Sequence, residues 1–516
     1  MKILKVLISI LILVVINSNL YSQQVVELNI PKSEKVVIKL MFRNGSICDP
    51  EGKEGLTNLT ASLITSGGTK ELTYKEIQEK LFPMAAGYNV NVDKEVTIFT
   101  FQVPKFFLND FYPLLKGLLI TPAFDEKDFE RVKSNIQVYV DQGIRASSDE
   151  EYSKKALEYY LFGGTPYQNM VQGKTASVQS ITLDDVKNHY KNYFTKSLLM
   201  IGIAGNYTEE FLNTLKSDMN SLPDAPVAVS QKVTPKFPDG IDVKIISKDE
   251  AFGSALFMGF PMDITRSNDE FAALMVANSY LGEHRKSYGV LYNKLRETRS
   301  MNYGDYSYIE WYDEGGSNML PPPGTPRSSN YFSIWIRPVQ IAKQLKKQYS
   351  ELSDIKIGHA HYALRLAIRE VDKLVKDGMS KEDFEETREF LSSYIKLYTQ
   401  TPASQLGYLM DSRFYNRNDY IAEMGKLLAK LTLDDVNNAI KKYWQVNNMI
   451  VTIVTDASEA SELANSIKNN LDSPMSYSNL VKAGMPKEVL QEDDEVATYK
   501  LNIKNVEIIN SKETFK

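Results

Sequence analysis

Hydrophobic positions along this chain switch repeatedly between two periods. TNLTASLITSG (57–67) and YKEIQEKLFPMAA (74–86) carry apolar residues at helical spacing. NVNVDKEVTIFTFQVP (89–104) instead alternates like two half-buried strands around an Asp93-Lys94 turn. Further helical stretches cover 106–119, 125–142 and 149–162. Later segments repeat the theme, with helices over 269–281, 340–349, 363–376 and 381–398 and a Tyr/Trp-rich strand region at 303–312. Adjacent strands joined by short turns predict an α+β fold of mainly antiparallel sheets, each covered by helices on one face.

The chain repeats itself. ITLDDVKNHYKNY (181–193) returns as LTLDDVNNAIKKY (431–443), offset by 250 residues and identical at eight of thirteen positions. Each copy precedes an apolar β-type run, LLMIGIAG (198–205) and MIVTIVTD (449–456), and each run precedes an amphipathic helical pattern. EKDFERVKSNI (126–136) likewise resembles KEDFEETREFL (381–391) at an offset of 255. A common helix-start phrase accounts for one such match, because Thr caps the helix and acids favour its first turn. It does not account for the shared order of elements. The organisation expected is two tandem homologous domains, 23–220 and 243–472. A linker at 221–242 carries four prolines, and a charged tail spans 473–516 with a short β-like stretch near its end. A loop at 313–330 interrupts the second copy.

Residues 1–22 read MKILKVLISILILVVINSNLYS: two lysines, an apolar run, then polar and small residues. This is the build of a secretory signal peptide, so an exported protein, periplasmic or secreted, is expected. No later stretch approaches the roughly 18 apolar residues of a membrane span, so the mature chain is expected to have no transmembrane segment. Sixty basic against sixty-five acidic residues leave a net charge of −5, which lacks the basic footprint of a nucleic-acid binder. One cysteine, Cys48, excludes an internal disulfide framework and any multi-cysteine metal cluster. It has no neighbouring histidine, and no Gly-x-Ser-x-Gly elbow is present.

Several stretches in order resemble the pitrilysin/insulinase-type zinc peptidases: 55–77, 87–104, 124–136, 165–194 and 289–306. The resemblance spans nearly all of the mature chain and implies the tandem fold of insulinase and the mitochondrial processing peptidase. Members of that family carry His-x-x-Glu-His on the first helix after a Gly-Leu. Positions i, i+3 and i+4 share one helical face, so two histidines hold zinc and the glutamate acts as base. Here Gly55-Leu56-Thr57 leads to Asn58 and Ser62 at the histidine positions and Ala61 at the base position. The family's third ligand is a glutamate some seventy-odd residues on, yet none occurs between Glu130 and Glu150. The remaining histidines, His189, His284 and the pair His359-x-His361, are read as solvated loop residues rather than ligands. No metal and no cofactor are expected in this chain.

LRETRSMNY (295–303) resembles the family's Leu-Arg-Glu-x-x-Gly-Leu-x-Tyr segment, with Ser300 and Met301 in place of Gly and Leu. The resemblance makes Arg296 and Tyr303 substrate-binding residues, a guanidinium fork and a phenol suited to a peptide carbonyl. Some family members pair a zinc-bearing chain with a zinc-free one that supplies this Arg and Tyr. The expectation is a zinc-free subunit of a heterodimeric peptidase, partnered by a homologous zinc-bearing chain and handling unfolded peptides. The alternative is an inactive structural or peptide-binding protein on the same fold.

Overall fold

The computed structural model describes residues 24–225, 233–311, 320 and 322–515. The expected signal segment 1–22, part of the linker and part of the 313–330 loop lie outside these residues. Two sheets organise the chain. The first contains β1 (Gln24–Asn29), β2 (Lys35–Phe42), β3 (Gly87–Val92), β4 (Thr97–Pro104) and β5 (Leu199–Gly205), in the order β1-β5-β2-β4-β3. The second contains β6 (Ile241–Lys248), β7 (Ser254–Met262), β8 (Asp305–Tyr308), β9 (Asn330–Val339), β10 (Met449–Asp456) and β11 (Ile503–Asn510), in the order β11-β6-β10-β7-β9-β8. Without β11, the two orders are the same topology, which is the repeat seen in three dimensions. The tail adds the outermost strand of the second sheet.

Most pairings are antiparallel, but β1–β5, β6–β10 and β6–β11 are parallel. The short-turn argument could not reveal them, because a parallel pair needs a long crossover rather than a hairpin. The repeated TLDD phrase is a helix start in both places. Thr182 and Thr432 accept from the backbone N–H of Asp185 and Asp435 at 3.2 Å, and each aspartate accepts from its threonine's N–H at 2.9 Å.

Helices do not cover one face only. Strands β2, β5, β7 and β10 are buried on both sides almost throughout, in keeping with their largely apolar runs, which Lys39 interrupts in β2 and Thr452 in β10. One face of each sheet packs on helices of its own half. The other face is closed by a helix from the opposite half. Helix Asp149–Leu161 lies on β10 and β7, with Leu157 and Leu161 against Phe257, Tyr308 and Trp335. Helix Pro402–Phe414 lies on β5, β1 and β2, with Leu406 and Met410 against Val37, Met41 and Met200. These helices are 253 residues apart, so they are equivalent elements exchanged between the copies. The contact is close: a Cβ on Gly202 would meet Met410 Sδ at 2.4 Å. In the other seat, Ser153 Oγ lies 3.2 Å from the Thr452 carbonyl and Thr452 Oγ1 donates to the Ser153 carbonyl at 3.0 Å.

Sequence boundaries shift where local chemistry intervenes. The 74–86 stretch is an α-helix only over Tyr74–Leu81, because Pro83 has no N–H to continue it, and a 3-10 turn follows. The strand region 303–312 yields only β8. His359 and His361 are not solvated loop residues: they open helix Ala360–Asp377 and are buried, as are His189 and His284. The error came from reading polarity without the apolar surroundings that long-range packing supplies. Burial pushes their pKa values down to about 3 for His189, His284 and His361 and about 4 for His359.

Two outcomes follow. Gly202→Val should cost about 1–3 kcal/mol through overpacking at the exchanged helix, read as a lower denaturation midpoint; an unchanged midpoint would refute the close seat. The four histidine Cε1–H resonances should not titrate between pH 7.5 and 5 in the folded protein. Each ring binds a proton in the unfolded chain below about 6.5 but not in the fold, so each withdraws stability as pH falls from there toward 4. Asp49 and Glu283, pushed up to about 7 by burial, and Asp411, pushed to about 6, act in the opposite sense. The rings are therefore followed one by one, and a midpoint near 6.5 for any of them would contradict its burial.

Candidate functional site

The helix expected to carry the zinc motif is Leu56–Ser66, and its start is fixed by buried polar contacts. Asp49 accepts from the N–H groups of Gly55 at 2.8 Å and Thr57 at 2.7 Å, and from the Thr57 hydroxyl at 2.6 Å. The Thr57 hydroxyl also meets His189 Nε2 at 2.8 Å. Gly55 takes a left-handed φ of 96°, and a Cβ there would come within 2.7 Å of the Gln172 carbonyl. That glycine is therefore demanded by geometry alone.

Asn58 and Ser62 are half-buried on this helix and Ala61 is buried. An amide, a hydroxyl and a methyl group do not make a zinc site, which takes imidazole, thiolate or carboxylate donors. Among the described residues, no group of three or more His, Cys, Asp or Glu could hold a metal ion. The nearest imidazole, His189, is engaged with Thr57. The residues present do not fit zinc, and no hydrolytic step runs through them.

A groove of about 540 Å³ remains where the active site of a zinc enzyme would open. Asn58 lines it beside β3 on one wall, with Trp311, Pro322, Pro323 and Ser404 of the second half opposite. β3 is an edge strand of the first sheet. Its Tyr88, Val90 and Val92 pack on the core while Asn89 and Asn91 are exposed, and among the described residues no strand pairs with its outer edge, beside which helix Leu56–Ser66 packs.

The turn after β3 is held by charge. Arg327, in the loop of the second half, grips Asp93 through Nε–Oδ2 at 2.7 Å and Nη2–Oδ1 at 2.5 Å. It also bonds Glu158, which pairs with Lys94 at 3.1 Å. All four side chains are at most 4% exposed. Burial alone would raise the Glu158 pKa, but Lys94 and Arg327 hold it below its ordinary value. The Arg327 guanidinium also lies 4.3 Å over the Trp311 ring. Sequence reasoning missed this quartet: Asp93-Lys94 stood out only as a turn, and nothing local links it to an arginine 234 residues away.

Arg296 and Tyr303 are brought together, but not into the groove. Arg296 Nη1 donates to the Tyr303 carbonyl at 3.0 Å, and its guanidinium lies 4.7 Å from the Tyr303 ring and 4.8 Å from that of Tyr292. The Tyr303 side chain stays 73% exposed. Ser300, in the position of the family's glycine, keeps a left-handed φ of 52°, so the turn survives the substitution at the cost of backbone strain. Behind the turn, Arg299 bonds Asp493 at 2.8 Å and Glu492 at 2.9 Å on helix Lys487–Thr498, so the C-terminal tail braces this segment.

The chain has relatives in sequence and in fold. The non-peptidase homolog YmxG of Helicobacter pylori is 24% identical over 428 residues, 81% of this chain and 88% of that protein. An uncharacterized zinc protease YmxG from Bacillus subtilis is 22% identical over 288 residues, 56% of this chain and 68% of that protein. Among solved structures, a peptidase M16 inactive domain from Pseudomonas fluorescens superposes with a TM-score of 0.71 at 17% identity, covering 84% of this chain and 96% of that one. A protease from Helicobacter pylori superposes with a TM-score of 0.68 at 15% identity, covering 84% and 97%. Residues 24–171 match insulinase (peptidase family M16), and residues 180–391 match the peptidase M16 inactive domain. With its motif helix stripped of every zinc donor, the chain belongs to the M16 pitrilysin/insulinase peptidase family as a non-catalytic member.

Proposed function

We propose that this chain is the zinc-free subunit of a two-chain M16 peptidase. It supplies Arg296 and Tyr303 to substrate bound at the zinc of a homologous partner chain. The observation that carries the reading is the combination of an emptied motif helix with an Arg/Tyr pair that is pre-formed and exposed. Arg296 is oriented by its bond to the Tyr303 carbonyl and by two flanking rings, so its donors are set before a peptide arrives. The tyrosine phenol is open to solvent and free to meet a peptide held by another chain. A partner is needed because the pair does not line this chain's own groove. Within that groove, the outer edge of β3 suits an extended peptide, which would add as a further strand.

Export fits the same reading. The basic and apolar 1–22 segment would direct the chain out of the cytoplasm, to a periplasm or beyond, where both subunits would meet unfolded peptides. Among the described residues, no helix is long and apolar enough to cross a membrane. A second reading, a structural or peptide-holding protein without a catalytic partner, draws on the distance of Arg296 and Tyr303 from the groove. It gives the pair no role in any rate.

The readings separate in two experiments. In the assembled complex, Arg296→Ala or Tyr303→Phe should lower the peptidase rate at least about tenfold, about 1.4 kcal/mol of barrier, without loosening assembly. Rates equal to wild type would end the partner-enzyme reading. A tagged pull-down from the native cell envelope should recover a second chain of similar size and a peptidase activity that a chelator abolishes. An inactive chain recovered alone would favour the structural reading.

A further inference from the structure

The groove contains a cation, Lys39, that no carboxylate among the described residues matches. Lys39 on β2 is paired in register with Thr100 of β4, and Thr100 with Asn89 of β3. The three form one row across the sheet, on the face turned toward the second half, and all three line the groove. Lys39 is only 6% exposed, yet among the described residues its ammonium has neither a hydrogen-bond acceptor nor a carboxylate within 4 Å. Burial depresses its pKa, and Asp411 offsets this only at longer range. Asp411 itself is occupied by the Gly324 N–H, at 3.0 and 3.2 Å.

Among the described residues, no other carboxylate lining the groove is available to it. Asp93 is taken by both arms of the Arg327 fork. A second cation, Lys155, stands by the Trp311 ring at 5.0 Å. Lys155 already interacts with Glu158, whereas Lys39, sunk in the groove wall, keeps little of its hydration and has no carboxylate beside it among the described residues. A carboxylate entering from outside would restore that loss and find hydroxyl and amide donors along the way, at Thr100 and Asn89.

We propose that this groove selects acidic peptides, seating a carboxylate on Lys39 along the Asn89–Thr100 row. Lys39 stands two strand spacings inward of β3, about 10 Å, so the group that reaches it projects into the groove from a peptide lying at the β3 edge. The carboxylate comes from a glutamate or aspartate side chain or from a free C-terminus. The inference rests on the reading that the groove takes extended peptide, but it needs neither zinc nor a partner chain.

The test uses the full chain and three fluorescein-labelled peptides followed by anisotropy. They are a capped alternating Val-Glu octamer, the same octamer with Gln for Glu, and the Gln octamer with a free C-terminal carboxylate. The Glu octamer should bind at least tenfold more tightly than the capped Gln octamer. Lys39→Met should remove that advantage while leaving the capped Gln octamer unchanged. A gain confined to the free-terminus octamer would assign the terminal carboxylate instead of the side chain, and an equal gain for both would show that the site takes either. Equal affinity for all three would overturn acid selection and leave peptide holding intact. Binding of none would overturn both, without bearing on whether Arg296 serves a partner. Discrimination that persists in Lys39→Met would remove Lys39 from the site. Should that variant fail to fold, the three-peptide comparison on the wild-type chain still decides.

Discussion

Everything in this molecule depends on the fact that the central strands of its two sheets are buried on both faces. A sheet with one bare apolar face is not stable in water, and the helices of each half suffice for only one face. The second face of each sheet is completed by a helix from the opposite half: Asp149–Leu161 in one direction and Pro402–Phe414 in the other. The halves are thus parts of one folding unit, and the tightness of the seats at Gly202 and Ser153 follows from that mutual burial.

The buried quartet of Asp93, Lys94, Glu158 and Arg327 sits where this exchange meets the groove. Glu158 belongs to the exchanged helix, Asp93 and Lys94 to the turn after β3, and Arg327 to the loop of the second half. Four desolvated charges add little net stability over apolar residues of similar size, but removing one would strand its partners. Their effect is positional. They hold the edge strand at a set distance from Trp311 and the proline-rich wall, and so define the width of the groove. The charges cancel within the quartet, so among the described residues the positive charge of the groove wall comes from Lys39 and Lys155.

Much of the architecture was legible in the sequence because repetition and periodicity are local or nearly local signals. The TLDD phrases, the continuous runs at β5 and β10 and the alternation of β3 and β4 all correspond to elements. That Asn58, Ala61 and Ser62 share one helix was equally legible, since their spacing is read directly from the sequence. What escaped was set by contacts between distant segments. The parallel pairings, the covering of the second sheet face and the burial of His189, His359 and His361 depend on packing between segments more than a hundred residues apart. The tail looked like a charged appendage, yet β11 extends the second sheet and Arg299 anchors on its helix through Glu492 and Asp493. Charged residues on a helix carry no sign of whether water or another charge will face them. The quartet and the buried Lys39 were hidden for the same reason.

The exchanged helices also speak about descent. Two copies of one topology that each lend an equivalent helix to the other have the arrangement of an isologous dimer with a twofold axis. A single ancestral copy could not have covered its own sheet, so it would have been stable only as a pair of identical chains. Joining the two genes end to end preserved the symmetric core and released the copies from identity. Each copy was then free to change residues away from that core, because the interface that made the pair obligatory lay elsewhere.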